Sequence, residues 1–131
     1  MLGVNLMTAS LWIVAGSICG ALGVMAGAFG AHGLESRLSA DLLDTYEKAV
    51  RYQLIHAVAL VLAGLLAPRA PGAAVHVAGA AFLAGILLFS GCLYGWIFTQ
   101  FRPLVHLVPV GGTAMIVGWI ALAVAGFSFR S

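Results

Sequence analysis

Four long apolar runs alternate with short polar or proline-marked breaks along this chain. The first extends from Thr8 to Phe29 without a charge, the second from Tyr52 to Ala67, the third from Ala73 to Phe98 and the fourth from Leu104 to Phe127. A helix crosses the hydrocarbon core of a bilayer with about 20 predominantly apolar residues, so the pattern predicts four transmembrane helices. Gly30 and Gly33 are placed to break the first. Pro68-Arg69-Ala70-Pro71-Gly72 must leave helical geometry, because proline lacks an N–H and clashes with the preceding turn. Residues 99–103 turn the chain once more, with Arg102 at the boundary and Arg130 at the far interface.

The polar stretch 30–51 holds all four acids: Glu35, Asp41, Asp44 and Glu47. Ser39 has the position of an N-cap, and Asp41 falls in the following first turn, where a carboxylate meets the positive end of the helix dipole. Asp44 with Lys48 and Glu47 with Arg51 are i,i+4 acid-before-base pairs. Leu38, Leu42 and Tyr46 form an apolar stripe. These features predict a short amphipathic helix at the membrane surface over about 39–51, continuing into the second span. The small residues Ala26-Gly27-Ala28 would suit signal cleavage, but no Lys or Arg precedes the first run, which also exceeds the usual signal core; a retained helix is expected. The reading is an all-α integral membrane four-helix bundle, one domain over 1–131.

Composition agrees. Of 131 residues, 63% are hydrophobic and 8% charged, against roughly 45–50% and 25% for soluble domains. A soluble fold this short has too much surface to hide that apolar content. The net charge of +2 comes from scattered basic residues, not the clustered face that nucleic acid requires. The bilayer is the expected partner and the membrane the expected location, the cytoplasmic membrane in a bacterium. The positive-inside rule sets Arg37, Lys48, Arg51 and Arg102 against Arg69 and Arg130, favouring a cytoplasmic polar stretch. Cys19 and Cys92, each within an apolar run, read as reduced thiols acting as small hydrophobes.

Trp12, Tyr46, Tyr52, Tyr94, Trp96 and Trp119 fall near span ends, as an aromatic belt would. The glycines are patterned. Gly16/Gly20 and Gly23/Gly27 on the first span and Gly91/Gly95 on the third are small-xxx-small pairs, and Gly111 and Gly112 adjoin in the fourth. Hydrophobic force does not drive helices together in lipid, so close approach through small residues does. Such faces serve packing within the bundle or between copies.

Chemistry has few places to reside. No ionisable Asp, Glu, Lys or Arg falls well inside the runs as bounded above, which argues against an ion-coupled carrier or pump. No nucleophile elbow, phosphate-cradling loop, metal-ligand cluster or cofactor motif is present. The expectation is no catalytic residue and no cofactor. Histidines remain. Tyr52 and His56 share one helical face with Gln53 beside them, and His32 reaches the same interface from the first helix. This polar cluster reads either as a site for a metal, proton or headgroup, or as a hydrogen-bonded clasp between the first two helices. His76 is expected at an interface, and His106 near a kink at Pro109-Val110-Gly111-Gly112, where freed carbonyls need partners. Ser90 and Thr113 are candidates for interhelical hydrogen bonds.

At these residues the chain resembles a known family. Gly27-Ala28-Phe29-Gly30-Ala31-His32-Gly33-Leu34, Tyr52-Gln53-x-x-His56-Ala57, Leu88-Phe89-Ser90-Gly91-x-Leu93-Tyr94 and Pro109-Val110-Gly111-Gly112, in this order and spacing, are similar to the domain of unknown function 423 family, which includes eukaryotic transmembrane protein 256. The resemblance implies a four-helix inner-membrane protein without an established biochemical activity. It includes His32, Tyr52, Gln53 and His56 but not His76 or His106, and Val108 stands where the family often has Thr.

Three functional classes follow. The favoured one is a non-enzymatic protein acting through helix packing, as a homo-oligomer or an accessory subunit of a larger complex. The second is a binding or permeation site for a metal, proton or small molecule built on His32 and His56. The third is a lipid-modifying enzyme with His56 as base and Tyr52 or Gln53 as orienters.

Overall fold

The computed structural model describes residues 2–129; Arg130 lies outside them. The chain is all-helical, with α1 (Leu2–Phe29), α2 (Ala40–Leu66), α3 (Ala74–Ile86), α4 (Cys92–Thr99) and α5 (Pro103–Phe127). Gly30–Leu34 extends α1 as a π-helical turn, and Leu87–Gly91 joins α3 to α4 in the same way. Among the described residues, four helical segments are long and apolar enough to cross a membrane: Leu6–Leu34, Ala40–Leu66, Ala74–Thr99 and Pro103–Phe127.

Local chemistry sets the helix ends. The Ser39 side chain accepts from the Leu42 amide at 3.3 Å and starts α2. Gln100 adopts φ 55° and closes α4 with its amide donating to the Trp96 carbonyl. Pro103 opens α5, where its missing N–H costs nothing. Gly72, at φ 100°, supplies the left-handed step in the turn before α3.

One break expected from sequence is absent. Gly30 and Gly33 do not stop the first helix, which continues helically through Leu34. Their smallness serves packing: a Cβ on Gly30 would meet the Tyr46 ring, and one on Gly33 would lie 2.9 Å from the Phe29 ring. Helix α5 is helical through Pro109, Gly111 and Gly112. The amphipathic stretch 39–51 runs on into the second span, as expected. It forms the first turns of α2, and its apolar side packs onto protein, with Tyr46 and Val50 buried against Leu34 and Ile97 and flanked by Leu38 and Leu42. Of its two expected ion pairs, Lys48–Asp44 closes at 3.7 Å and Glu47–Arg51 does not.

Helices α2 and α3 form the inner pair, α1 packs along α2, and α5 packs along α3. Phe82, Leu60, Ala59 and Ala78 lie between them as a central core. The outward sides of α1 and α5 are almost wholly exposed large apolar residues, such as Leu11, Ile18 and Leu22 on α1 and Ile116, Ile120 and Val124 on α5.

The glycine faces divide by use. On α1 a Cβ at Gly16 or Gly23 would come within 2.7 Å of Val61 or Leu54 of α2, so these two seat the neighbouring helix. Gly111 lies against the backbone of the π-helical turn 87–91, where a Cβ would sit 2.7 Å from the Leu88 carbonyl carbon. Gly95 faces Leu104 at 2.9 Å, whereas Gly91 faces open space but for one carbonyl at 3.9 Å. Backbone cannot yield as a side chain can. Gly111→Ala is therefore expected to destabilise the bundle by about 1–3 kcal/mol, and Gly91→Ala to stay within about 0.5 kcal/mol, read from thermal unfolding in detergent; equal effects would contradict this packing.

Candidate functional site

The polar residues of α2 are buried in mid-helix, where water cannot satisfy them. Gln53 donates from Nε2 to the Cys19 carbonyl of α1 at 2.8 Å and accepts at Oε1 from the Tyr94 hydroxyl of α4, also at 2.8 Å. A single amide thus ties α2 to two neighbours. One turn further on, His56 has Nδ1 2.7 Å from the Tyr52 carbonyl, and its Nε2 accepts from the Trp119 indole of α5 at 3.1 Å. A carbonyl only accepts and an indole N–H only donates. His56 must then be the neutral tautomer with hydrogen on Nδ1 and the lone pair on Nε2.

Around this imidazole the aromatic rings interlock. Trp119 stands edge-on to His56 at 5.9 Å and to Phe82 at 5.1 Å, and Tyr52 stacks on His56 at 6.0 Å and leans on Phe89 at 4.6 Å. A crevice of about 360 Å³ opens beside them between α2 and α5, lined by Tyr52, His56, Phe89, Met115, Ile116 and Trp119. Among the described residues, none is a hydrogen-bond partner of the Tyr52 hydroxyl.

His32 does not join this group. It is exposed on the π-helical turn after α1. Gly20 of α1 faces Ala57, so His56 lies level with Gly20, roughly 18 Å along the helix from His32 at 1.5 Å per residue. The sequence-read cluster is thereby divided: Gln53 faces α1 and α4, His56 faces α5, Tyr52 borders the crevice, and His32 stands apart.

The other candidates also resolve. His76 accepts at Nδ1 from the Trp12 indole at 3.2 Å, with the indole lying over Gly79. Ser90 donates to the Ala49 carbonyl at 2.6 Å and so joins the π-helical turn 87–91 to α2. Thr113 instead bonds within its own helix, to the Pro109 carbonyl at 2.9 Å. His106 is exposed beside Trp96 and Arg102, around a cavity of about 280 Å³. The thiols of Cys19 and Cys92 are free.

Sequence reading missed the two indole–imidazole pairs, Trp12 with His76 and Trp119 with His56. Tryptophan near a span end suggests a belt; here Trp12, Tyr46, Tyr94 and Trp119 each direct the polar atom to another helix, Tyr46 to the Ala26 carbonyl. The available signal was a donor-only indole within an apolar run. Chemically, both His56 nitrogens are occupied, so neither can take a proton or a metal without giving up a bond. Among the described residues no group of three or more His, Cys, Asp or Glu could hold a metal ion.

Comparison with known proteins finds a match over residues 26–112 to the family model DUF423, described as a protein of unknown function. This chain is 40% identical over 119 residues to a UPF0382 membrane protein of Staphylococcus aureus (strain bovine RF122 / ET3-1), covering 91% of this chain and 97% of that one. It is 39% identical over 120 residues to the UPF0382 membrane protein YwdK of Bacillus subtilis (strain 168), covering 91% and 98%. No solved structure matches.

If His56 is a strut between helices, Trp119→Phe strands a buried imidazole nitrogen and lowers stability by about 1–3 kcal/mol. His32→Ala, on the exposed turn, should leave thermal unfolding unchanged. In ¹⁵N spectra of the folded protein at neutral pH, His56 should show hydrogen on Nδ1 alone; an imidazolium or the opposite tautomer would contradict the geometry.

Proposed function

The chain belongs to the DUF423 family of small membrane proteins, and on that premise we propose that it is a non-enzymatic membrane component. It acts by presenting its helix faces to other protein, as an oligomer or as an accessory subunit of a larger complex. One observation carries this reading: the buried polar side chains Gln53, His56 and Ser90 are all spent on hydrogen bonds, to other helices and to their own backbone. No buried side-chain nitrogen or oxygen among the described residues lacks a partner. A catalytic base or nucleophile needs a lone pair or proton free for substrate, and the buried side-chain nitrogens and oxygens among the described residues hold none in reserve. The outward apolar sides of α1 and α5 remain for contact.

A second reading rests on the Tyr52 crevice. Its unpartnered hydroxyl in an aromatic-walled cleft of about 360 Å³ suits a small amphipathic molecule. That reading uses Tyr52 and the rim of His56, without His32.

Photocrosslinking separates the two. With a photoreactive residue replacing Leu22 on α1 or Ile120 on α5, irradiation of native membranes should trap one adduct of constant mass. Monomer alone at every expression level would overturn the packing role, and a small-molecule adduct formed only from position 52 would favour the crevice.

A further inference from the structure

Along the α1–α2 seam two cavities adjoin at Leu54, which lines both, as two parts of a groove. The upper part, of about 370 Å³, is walled by Gly16, Gly20 and Val24 of α1 and by Ala57, Val58 and Val61 of α2, and is almost wholly apolar. The lower part, of about 280 Å³, is bounded by Gly27, Gly30 and Ala31 on one side and by Glu47, Val50 and Arg51 on the other. From Val61 to Glu47 the groove follows 15 residues of α2, roughly 21 Å over their 14 steps at 1.5 Å each.

Helix packing does not account for all of its floor. Gly16 and Gly23 are needed to seat α2, but a Cβ on Gly20 would meet only Ala57 at 3.9 Å and one on Gly27 only Val50 at 3.4 Å, both ordinary contacts. A Cβ would be accommodated at these two positions, and its absence leaves the slot open.

The groove ends on charge inside a spanning helix. Gly23 and Gly27 face Leu54 and Val50, so Arg51 lies level with them, roughly 10 Å along α1 from its end at Leu34. A guanidinium stays protonated in any protein environment, and Arg51, exposed at the edge of an apolar slot, is placed to hold an anionic group through its N–H donors. Glu47, one turn away on the same wall, does not close on it, while the neighbouring Lys48 is occupied by Asp44. Cation and anion therefore both face outward, unpaired with each other, at the mouth of an apolar slot.

We propose that this groove is a binding site for one phospholipid with an amine headgroup, of the phosphatidylethanolamine class. An acyl chain lies along Val24, Gly20 and Val61, Arg51 holds the phosphate through its paired N–H donors, and Glu47 accepts from the ammonium. Guanidinium forks match phosphate oxygens bidentately, and the order of apolar slot, cation and anion follows the order of groups in such a lipid.

Native mass spectrometry of the detergent-purified full chain, titrated with phosphatidylethanolamine or phosphatidylglycerol, tests this. The expected result is a single one-to-one adduct favouring phosphatidylethanolamine. Arg51→Gln should weaken it about tenfold, the scale of one charge-assisted hydrogen bond, and Glu47→Gln should abolish the preference between the two lipids. Gly20→Leu should block the adduct while thermal unfolding without added lipid stays at the wild-type value. Adducts unchanged in Arg51→Gln and Gly20→Leu would overturn the site. Equal binding of both lipids by the wild type would overturn the headgroup assignment, and displacement by inorganic phosphate at equal concentration would overturn the role of the acyl groove.

Discussion

In lipid no solvent stands ready to take up an unmet hydrogen bond, and this constraint organises the bundle. The buried polar groups of α2 are satisfied from three directions: by the Cys19 carbonyl of α1, the Tyr94 hydroxyl of α4 and the Trp119 indole of α5. Ser90 and Tyr46 add bonds from α2 to the π-helical turn 87–91 and to α1. Each interhelical hydrogen bond contributes little, about 0.6 kcal/mol on average in membrane proteins. Their weight lies in the alternative, since an unpaired polar group in an apolar medium costs several times more. A helix carrying Gln53 and His56 at mid-depth has one arrangement that satisfies both, and α2 becomes the hub to which the other helices are tied.

Close backbone approach makes that wiring possible. A carbonyl such as that of Cys19 is reachable by a glutamine side chain only if α1 and α2 nearly touch, which Gly16 and Gly23 permit. Gly111 lets α5 lie against the π-helical turn 87–91, whose Ser90 points to α2. Where helix backbones stand further apart, between α2 and α5, the larger Trp119 and His56 rings bridge the gap and leave the aromatic crevice beside them. Small residues and hydrogen bonds thus act together: the first set distance and the second set register.

The same economy bears on function. On the proposed reading, with Gln53, His56 and Ser90 engaged in holding helices, the protein acts through its surface. That surface is apolar on α1 and α5 and is interrupted at the α1–α2 groove, where Glu47 and Arg51 stand unpaired within the span. The enzymatic reading, with His56 as base, fits this arrangement poorly because the lone pair of Nε2 is already given to an indole.

The apolar runs, their lengths and their breaks sufficed to establish four membrane-spanning helices, because helix length against bilayer thickness is a property of the chain alone. The Ser39 cap and the Asp44–Lys48 pair were legible for the same reason: each depends on neighbours close in sequence. What became of Gly30 and Gly33 was not, since whether a glycine ends a helix or admits a ring depends on Tyr46 arriving opposite. The pairing of Trp12 with His76 and of Trp119 with His56 joins residues 64 and 63 positions apart, and no local pattern encodes a partner at that distance. Only the tertiary structure separated His32 from His56 and brought Arg51 beside the open floor of α1, because helix register is decided by side chains meeting across the interface.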